Sequence, residues 1–452
     1  SELAILLRRN RFTQLGTLAR VPLAGGVPRE VASDVLNADW SGDGASLAVI
    51  RSVSGKYRVE FPIGSVRHQT TRPIRDVRVS PDGTKLAFIE LINGENFINV
   101  IDKGDAAPIA HGWPRGATGL AWSPDGAEIW ITGTSTSAPP ALYAIPLEGD
   151  TRMISRLTGS MKLFDISRAG RALLSNGVWR AALMWKPSAE APEHDMSWLD
   201  WSVLADLSSD GGTILFNEPR EGGGPKGGMY LRRLGEPVPV RIGDGLGDAI
   251  SPDGKWVLGH TGSKLQILPT GTGEARELKI EGNFDQGAVW LPDSKRVVVG
   301  NASGQLTLVD TLDEKTMPLS PNGIWNAGIR AFALSPDARF VAGMNADETI
   351  VLYPIDGSLT AVAVPGVEKG EIPIQFSADG AALYVYRPNA LPANVQRVEL
   401  ATGARTLWRE FSPADPAGVY KISPVLVTPD GNAYAYDALR TLSDLYVAEG
   451  LK

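Results

Sequence analysis

The side chains that could do chemistry are few and scattered. The 452-residue chain has no cysteine and four histidines, His68, His111, His194 and His260. Without thiols there is no disulfide, no thiolate metal ligand and no cysteine nucleophile. The histidines lie far apart and no HExxH spacing occurs, so the clustered ligands of a tetrahedral zinc site are not expected. Gly133-Thr134-Ser135-Thr136-Ser137 comes nearest to a nucleophile elbow. It lacks the second glycine, and no helical domain follows it, which argues against a serine hydrolase. Gly222-Gly223-Gly224-Pro225-Lys226-Gly227-Gly228 has the glycines of a phosphate loop but not its Lys-Ser/Thr ending or strand-to-helix setting, and reads as a connection between strands. No catalytic residue, metal or cofactor is assigned.

The elements that carry these residues are set by a repeat. An apolar strand, a Ser-Pro-Asp-Gly turn or a relative of it, and a second alternating strand recur along the chain. The turn begins at Trp40, Val79, Trp122, Ile166, Leu207, Ile250, Trp290, Leu334, Phe376 and Val427. Successive copies are 39, 43, 44, 41, 43, 40, 44, 42 and 51 residues apart, a spacing too even for chance. Proline presets φ at the second turn position, Asp can bond the backbone two residues on, and Gly takes a positive φ. Each Asp stands alone, one per turn, unlike the dense carboxylates of an EF-hand, so it is assigned to the turn rather than to calcium.

Third and fourth strands follow in most copies, for example Ala141-Leu142-Tyr143-Ala144-Ile145 and Glu274-Ala275-Arg276-Glu277-Leu278. Four short antiparallel strands in a repeat of this length are the mark of an all-β fold, a β-propeller. Rings of about four to eight blades are usual. The ten copies are therefore divided into two rings, the second six-bladed, with one large ring of about ten blades as the alternative. The irregular stretch 185–201 sets the boundary: a first and incomplete propeller over 1–195, and a second over 196–452. Ala4 to Leu7, Gly16 to Pro22 and Pro28 to Ala32 read as the last three strands of a blade without its first. Asp444 to Ala448 reads as the third strand of the last blade, and His194 to Leu199 as its fourth.

Composition narrows the partners. Gly (50) and Pro (32) suit short strands and tight turns. Basic residues number 44 against 51 acidic, net −7, so phosphate-rich nucleic acid is a poor partner. No run of about eighteen apolar residues would embed the chain in a membrane. The first residue is not Met, so the chain reads as part of something longer.

Trp40, Trp122 and Trp290 sit just before their turns, a regularity expected of packing between blades. His111, Trp113 and Arg115, and Trp325 and Asn326, lie in loops leading into first strands. Such loops gather on one face of a propeller, so these residues are the candidates for contact with a ligand or partner. Glu371 and Lys421, which precede inner strands, join them.

The tandem SPDG units resemble the WD40-like repeats of bacterial TolB-type propellers. LARVPLAGGVPREV (from Leu18), VEFPIGSV (from Val59), SWLDWSVLADLSSDG (from Ser197), ISPDGKWVL (from Ile250), PANVQRVELATG (from Pro392) and LSDLYVAEGLK (from Leu442) resemble the carboxy-terminal propeller region of bacterial membrane-anchored Ser/Thr protein kinases. The resemblance implies a sensor or scaffold region on the extracytoplasmic side, tied to a kinase domain by a membrane span. His-Arg-Asp and Asp-Phe-Gly are absent, so no kinase activity passes to any residue here. The expected function is a non-catalytic sensor or scaffold that binds a protein, a peptide or a small polar ligand. The alternatives are a propeller glycosidase or lyase with channel carboxylates, and a TolB-like partner of an envelope complex.

Overall fold

The repeated turn has the same construction throughout. In eight copies, from Ser41 to Thr428, the hydroxyl donates to the Asp two residues on at 2.5 to 2.6 Å. The same Asp oxygen accepts the backbone N–H two residues further on. The hydroxyl oxygen in turn accepts the N–H that opens the next strand. Each turn thus satisfies its own polar groups. The Ser80 hydroxyl and the Thr84 amide and hydroxyl hold the Asp82 carboxyl down to about 2.

The computed structural model describes residues 2–8, 13–114, 117–135, 138–156, 160–199, 201–282, 284, 286–301, 303–322, 331–388 and 390–451. Among these the one helical element is the 3-10 turn Glu221–Gly223, and the rest of the regular structure is antiparallel strand. The chain forms two compact units, residues 1–178 with 442–452, and residues 179–441. It crosses between them inside two long strands, Ala172–Lys186 and Tyr434–Ala448.

The first unit carries four successive sheets, whose first strands are Arg29–Trp40, Ile74–Val79, Thr118–Trp122 and Ser160–Ile166. Arg29–Trp40 pairs with Gly16–Pro22 through its first half and with Leu47–Val53 through its second. The break between the halves falls at Asp34, whose φ of 58° is tolerated by the short polar side chain of Asp. The opening strands therefore extend one six-stranded sheet rather than forming a separate, truncated blade. Inner-strand side chains tie neighbouring sheets: Asp39 Oδ2 accepts Val79 N–H at 2.8 Å, and Trp122 Nε1–H donates to Arg78 O at 3.2 Å. Between the second and third sheets lies an apolar core that includes Ile89, Ile98, Trp113, Leu120, Ile131 and Tyr143. Burying each such large side chain stabilises by about 1.5–3 kcal/mol. Ala448 and Leu451 pack against Leu163, Ile166 and Leu174 of this unit, so the C-terminal run belongs here and does not supply a third strand to the last blade.

The second unit has five four-stranded sheets, with first strands Val203–Leu207, Leu246–Ile250, Ala288–Trp290, Phe332–Leu334 and Ile372–Phe376, and a sixth blade that starts at Val419–Val427, a strand of the same five-stranded sheet as Ser160–Ile166. Five neighbouring pairs touch through these first strands, the last closing on the first. The third and fourth sheets share the core of Val298, Leu306, Phe332 and Val341. This is a closed ring of six blades, and the chain is a multi-blade β-propeller. The sixth blade is assembled from both ends of the unit. Its first two strands are Val419–Val427 and the start of Tyr434–Ala448, the third comes from Ala172–Lys186, and His194–Asp195 is the fourth. The division thus falls at 178/179 and 441/442, whereas the sequence reading placed it at 195/196.

Candidate functional site

The first strands of the second unit line a channel, and cavities open at both of their ends. The larger, about 460 Å³, is lined where the strands run into their turns, by Ser208, Asp210, Ser251, Asp253, Ser335 and Thr428 among others. The hydroxyls and carboxylates there are already occupied by one another. The smaller, about 290 Å³, sits at the starts of the same strands and is lined by Trp201, Val203, Asp248, His260, Lys421 and Asp437 among others. Its volume is close to the lower end of small-ligand sites, about 300 Å³, and its polar groups are less fully matched.

Asp437 is one of its lining residues. It is the polar member of Tyr434-Ala435-Tyr436-Asp437-Ala438, a strand start whose other residues are apolar or aromatic and buried. It is fully buried, and its Oδ2 accepts Leu204 N–H at 2.9 Å, which joins the sixth blade to the first. Its Oδ1 is also buried and has no hydrogen-bond partner among the described residues. Burial drives its carboxyl well above the ordinary range.

Lys421 stands on the Val419–Val427 strand, opposite Leu439. It is half-buried, and burial pulls its ammonium below its ordinary value. No hydrogen bond or ion pair engages its side chain among the described residues. Asp248 and His260 face each other across neighbouring strands, with Nδ1 and Oδ2 2.9 Å apart.

An aromatic rim borders this opening. The buried Glu218 carboxylate accepts Leu199 N–H at 3.1 Å, Trp201 N–H at 3.2 Å and the Ser202 hydroxyl. Three donors on one carboxylate fix the segment that presents Trp201. The Arg220 guanidinium lies 3.9 Å from the centre of the Trp201 ring. Its charge also reaches Tyr420, whose phenol burial raises. Tyr420 meets Trp179 edge-on at 5.5 Å, and the two remain 41% and 42% exposed.

The residues singled out by sequence are spread over both units. In the first, His111 is exposed and stacks on Phe97 at 5.5 Å, while Trp113 is buried edge-on against Tyr143 at 4.8 Å. Arg115, Trp325 and Asn326 lie outside the described residues. Glu371 is buried, and Arg405 clamps it with two bonds of 2.7 and 2.9 Å. Of the four that are described, Lys421 alone lines the smaller cavity. Asp437 and Trp201 were not among them. A lone acid in an otherwise apolar strand start is a signal that was available for Asp437. Among the described residues no group of three or more His, Asp or Glu is placed to hold a metal ion.

No family model matches the chain, and no curated protein does. Among solved structures, the C-terminal WD40 domain of Sif2 matches at 14% identity over 78% of this chain and 92% of that one, with a TM-score of 0.29.

Proposed function

We propose that this chain is a non-catalytic binding propeller whose second unit takes a small polar ligand into the 290 Å³ channel mouth. The observation that carries the reading is Asp437 Oδ1, a fully buried oxygen of a cavity-lining residue with no hydrogen-bond partner among the described residues. A buried polar atom left unmatched costs about 1–3 kcal/mol, which a ligand supplying the missing hydrogen bond recovers. The aromatic rim suits a role in holding what enters, because rings offer contact area with little loss of side-chain freedom. The kinase-like sequence stretches support a finer reading, in which ligand capture here serves as the extracytoplasmic input of a membrane-anchored Ser/Thr kinase.

The test is a thermal-shift screen of purified protein against a library of small polar compounds. Val203→Phe, which narrows the mouth, is run in parallel. Compounds that raise Tm in the wild type and not in the variant support the reading. A library without a single such compound overturns it.

A further inference from the structure

The wall of the smaller cavity can be sorted by what each polar group already does. Asn217 is occupied at both ends of its amide: Nδ2 donates to Gly247 O at 2.9 Å, and Oδ1 accepts Gly247 N–H at 2.7 Å. The Ser423 hydroxyl is shared with the Tyr386 phenol at 3.1 Å. Asp248 holds His260, and Asp437 Oδ2 holds Leu204 N–H. Gln286 is engaged as well. Two groups remain that the described protein does not match. Lys421 is a cation without a counter-ion, and Asp437 Oδ1 is a buried oxygen without a donor.

These two groups differ in depth. Lys421 is half-buried and follows the exposed Tyr420 of the rim, whereas Asp437 is wholly enclosed. A matching ligand therefore presents an anionic group at the rim end and a hydroxyl at the enclosed end. We infer that the channel mouth of the second unit is a site for a small hydroxy-carboxylate, with Lys421 receiving the carboxylate and Asp437 Oδ1 the hydroxyl. This rests on the binding reading above and names its ligand class. The carboxylate restores to Lys421 the opposite charge that its surroundings withhold. A hydroxyl at Asp437 needs no ionised carboxyl, so no charge has to be buried there. A purely apolar acid would leave the Oδ1 as unmatched as it is now. A neutral sugar would leave the Lys421 charge unanswered.

The experiment compares three probes of similar length by isothermal titration calorimetry on the whole chain: gluconate, which has both groups, glucose, which lacks the carboxylate, and hexanoate, which lacks the hydroxyls. Gluconate is expected to bind about 10-fold or more tighter than either, the worth of one charge-assisted hydrogen bond. Lys421→Met should remove the preference for gluconate over glucose, and Asp437→Leu the preference for gluconate over hexanoate. Because Asp437 also joins two blades, Asp437→Asn is the companion variant. Its amide oxygen can still accept Leu204 N–H, so it should fold, while its NH2, standing where the Oδ1 acceptor was, should weaken gluconate binding without loss of the Leu204 bond. Equal binding of all three probes, or preferences that survive Lys421→Met, would overturn the ligand class. So would failure of gluconate to bind while library compounds still bind in a Val203-dependent manner, an outcome that leaves the binding reading intact.

Discussion

Replacing Glu193 by Ala should loosen the sixth blade of the second unit, with a cost that can be worked from its contacts. The Glu193 carboxylate takes the Tyr434 hydroxyl at 2.9 Å and the Tyr436 hydroxyl at 3.0 Å, on a strand start more than two hundred residues away in sequence. Hydrogen bonds to a charged group contribute about 1.5–3 kcal/mol each. Glu193 is half-buried, so solvent screening favours the low end, and the pair comes to about 3 kcal/mol. Tyr434 keeps Arg409 as a donor at 3.2 Å, but its own proton loses its acceptor, as does that of Tyr436. Glu193→Gln keeps one carbonyl oxygen and should cost about half as much. The assay is urea unfolding of the whole chain followed by tryptophan fluorescence, with Tyr436→Phe and the double variant completing a cycle. A coupling of about 1 kcal/mol or more is expected between residues 193 and 436. A Glu193→Ala change below about 0.5 kcal/mol, within the range of ordinary surface substitutions, would refute the reasoning. High-pH titration gives an independent check: burial, reinforced by Glu193, pushes the Tyr434 phenol up to about 12, and the variant should ionise lower.

Asp39, in the first unit, should make stability depend on pH. Burial raises its carboxyl from 3.8 to about 6, so between those values the folded chain holds a proton that the unfolded chain has released, and stability falls as pH rises through that window. The loss amounts to about 3 kcal/mol by pH 7. Asp39→Asn should abolish that slope in denaturation measured between pH 4 and 7, and an unchanged slope would contradict the assignment. Gly119 has a φ of +69°, and a Cβ there would meet Leu163 O at 2.0 Å. Gly119→Ala should therefore destabilise the first unit by more than about 2 kcal/mol, read as an earlier thermal transition. Glu218→Ala should free the Leu199–Ser202 segment, seen as faster amide exchange at Trp201, while Glu371→Ala should leave exchange there unchanged.

Ser, Pro, Asp and Gly in series prescribe a turn by local chemistry alone, through bonds that span at most five residues. The periodic repeat of that turn was therefore enough to read an all-β propeller from sequence, together with the structural duty of its aspartates. Trp122 and Trp290 were legible for the same reason: their place before the turn is regular, and both indoles donate to the preceding blade. Lys421 was reached because the start of an inner strand is a position that the repeat defines.

What tertiary structure alone decided is partnership between distant residues. A strand presents the same edge whichever strand comes to pair with it, so nothing local marks Ala172–Lys186 as the third strand of the sixth blade. Glu371 looks like any acid before a strand until Arg405 folds onto it. Asp437 could be recognised as a lone acid in an apolar strand. That one of its oxygens joins the sixth blade to the first while the other lacks a donor depends on ring closure. The turn is a matter of neighbours in sequence, and the site is a matter of neighbours in space.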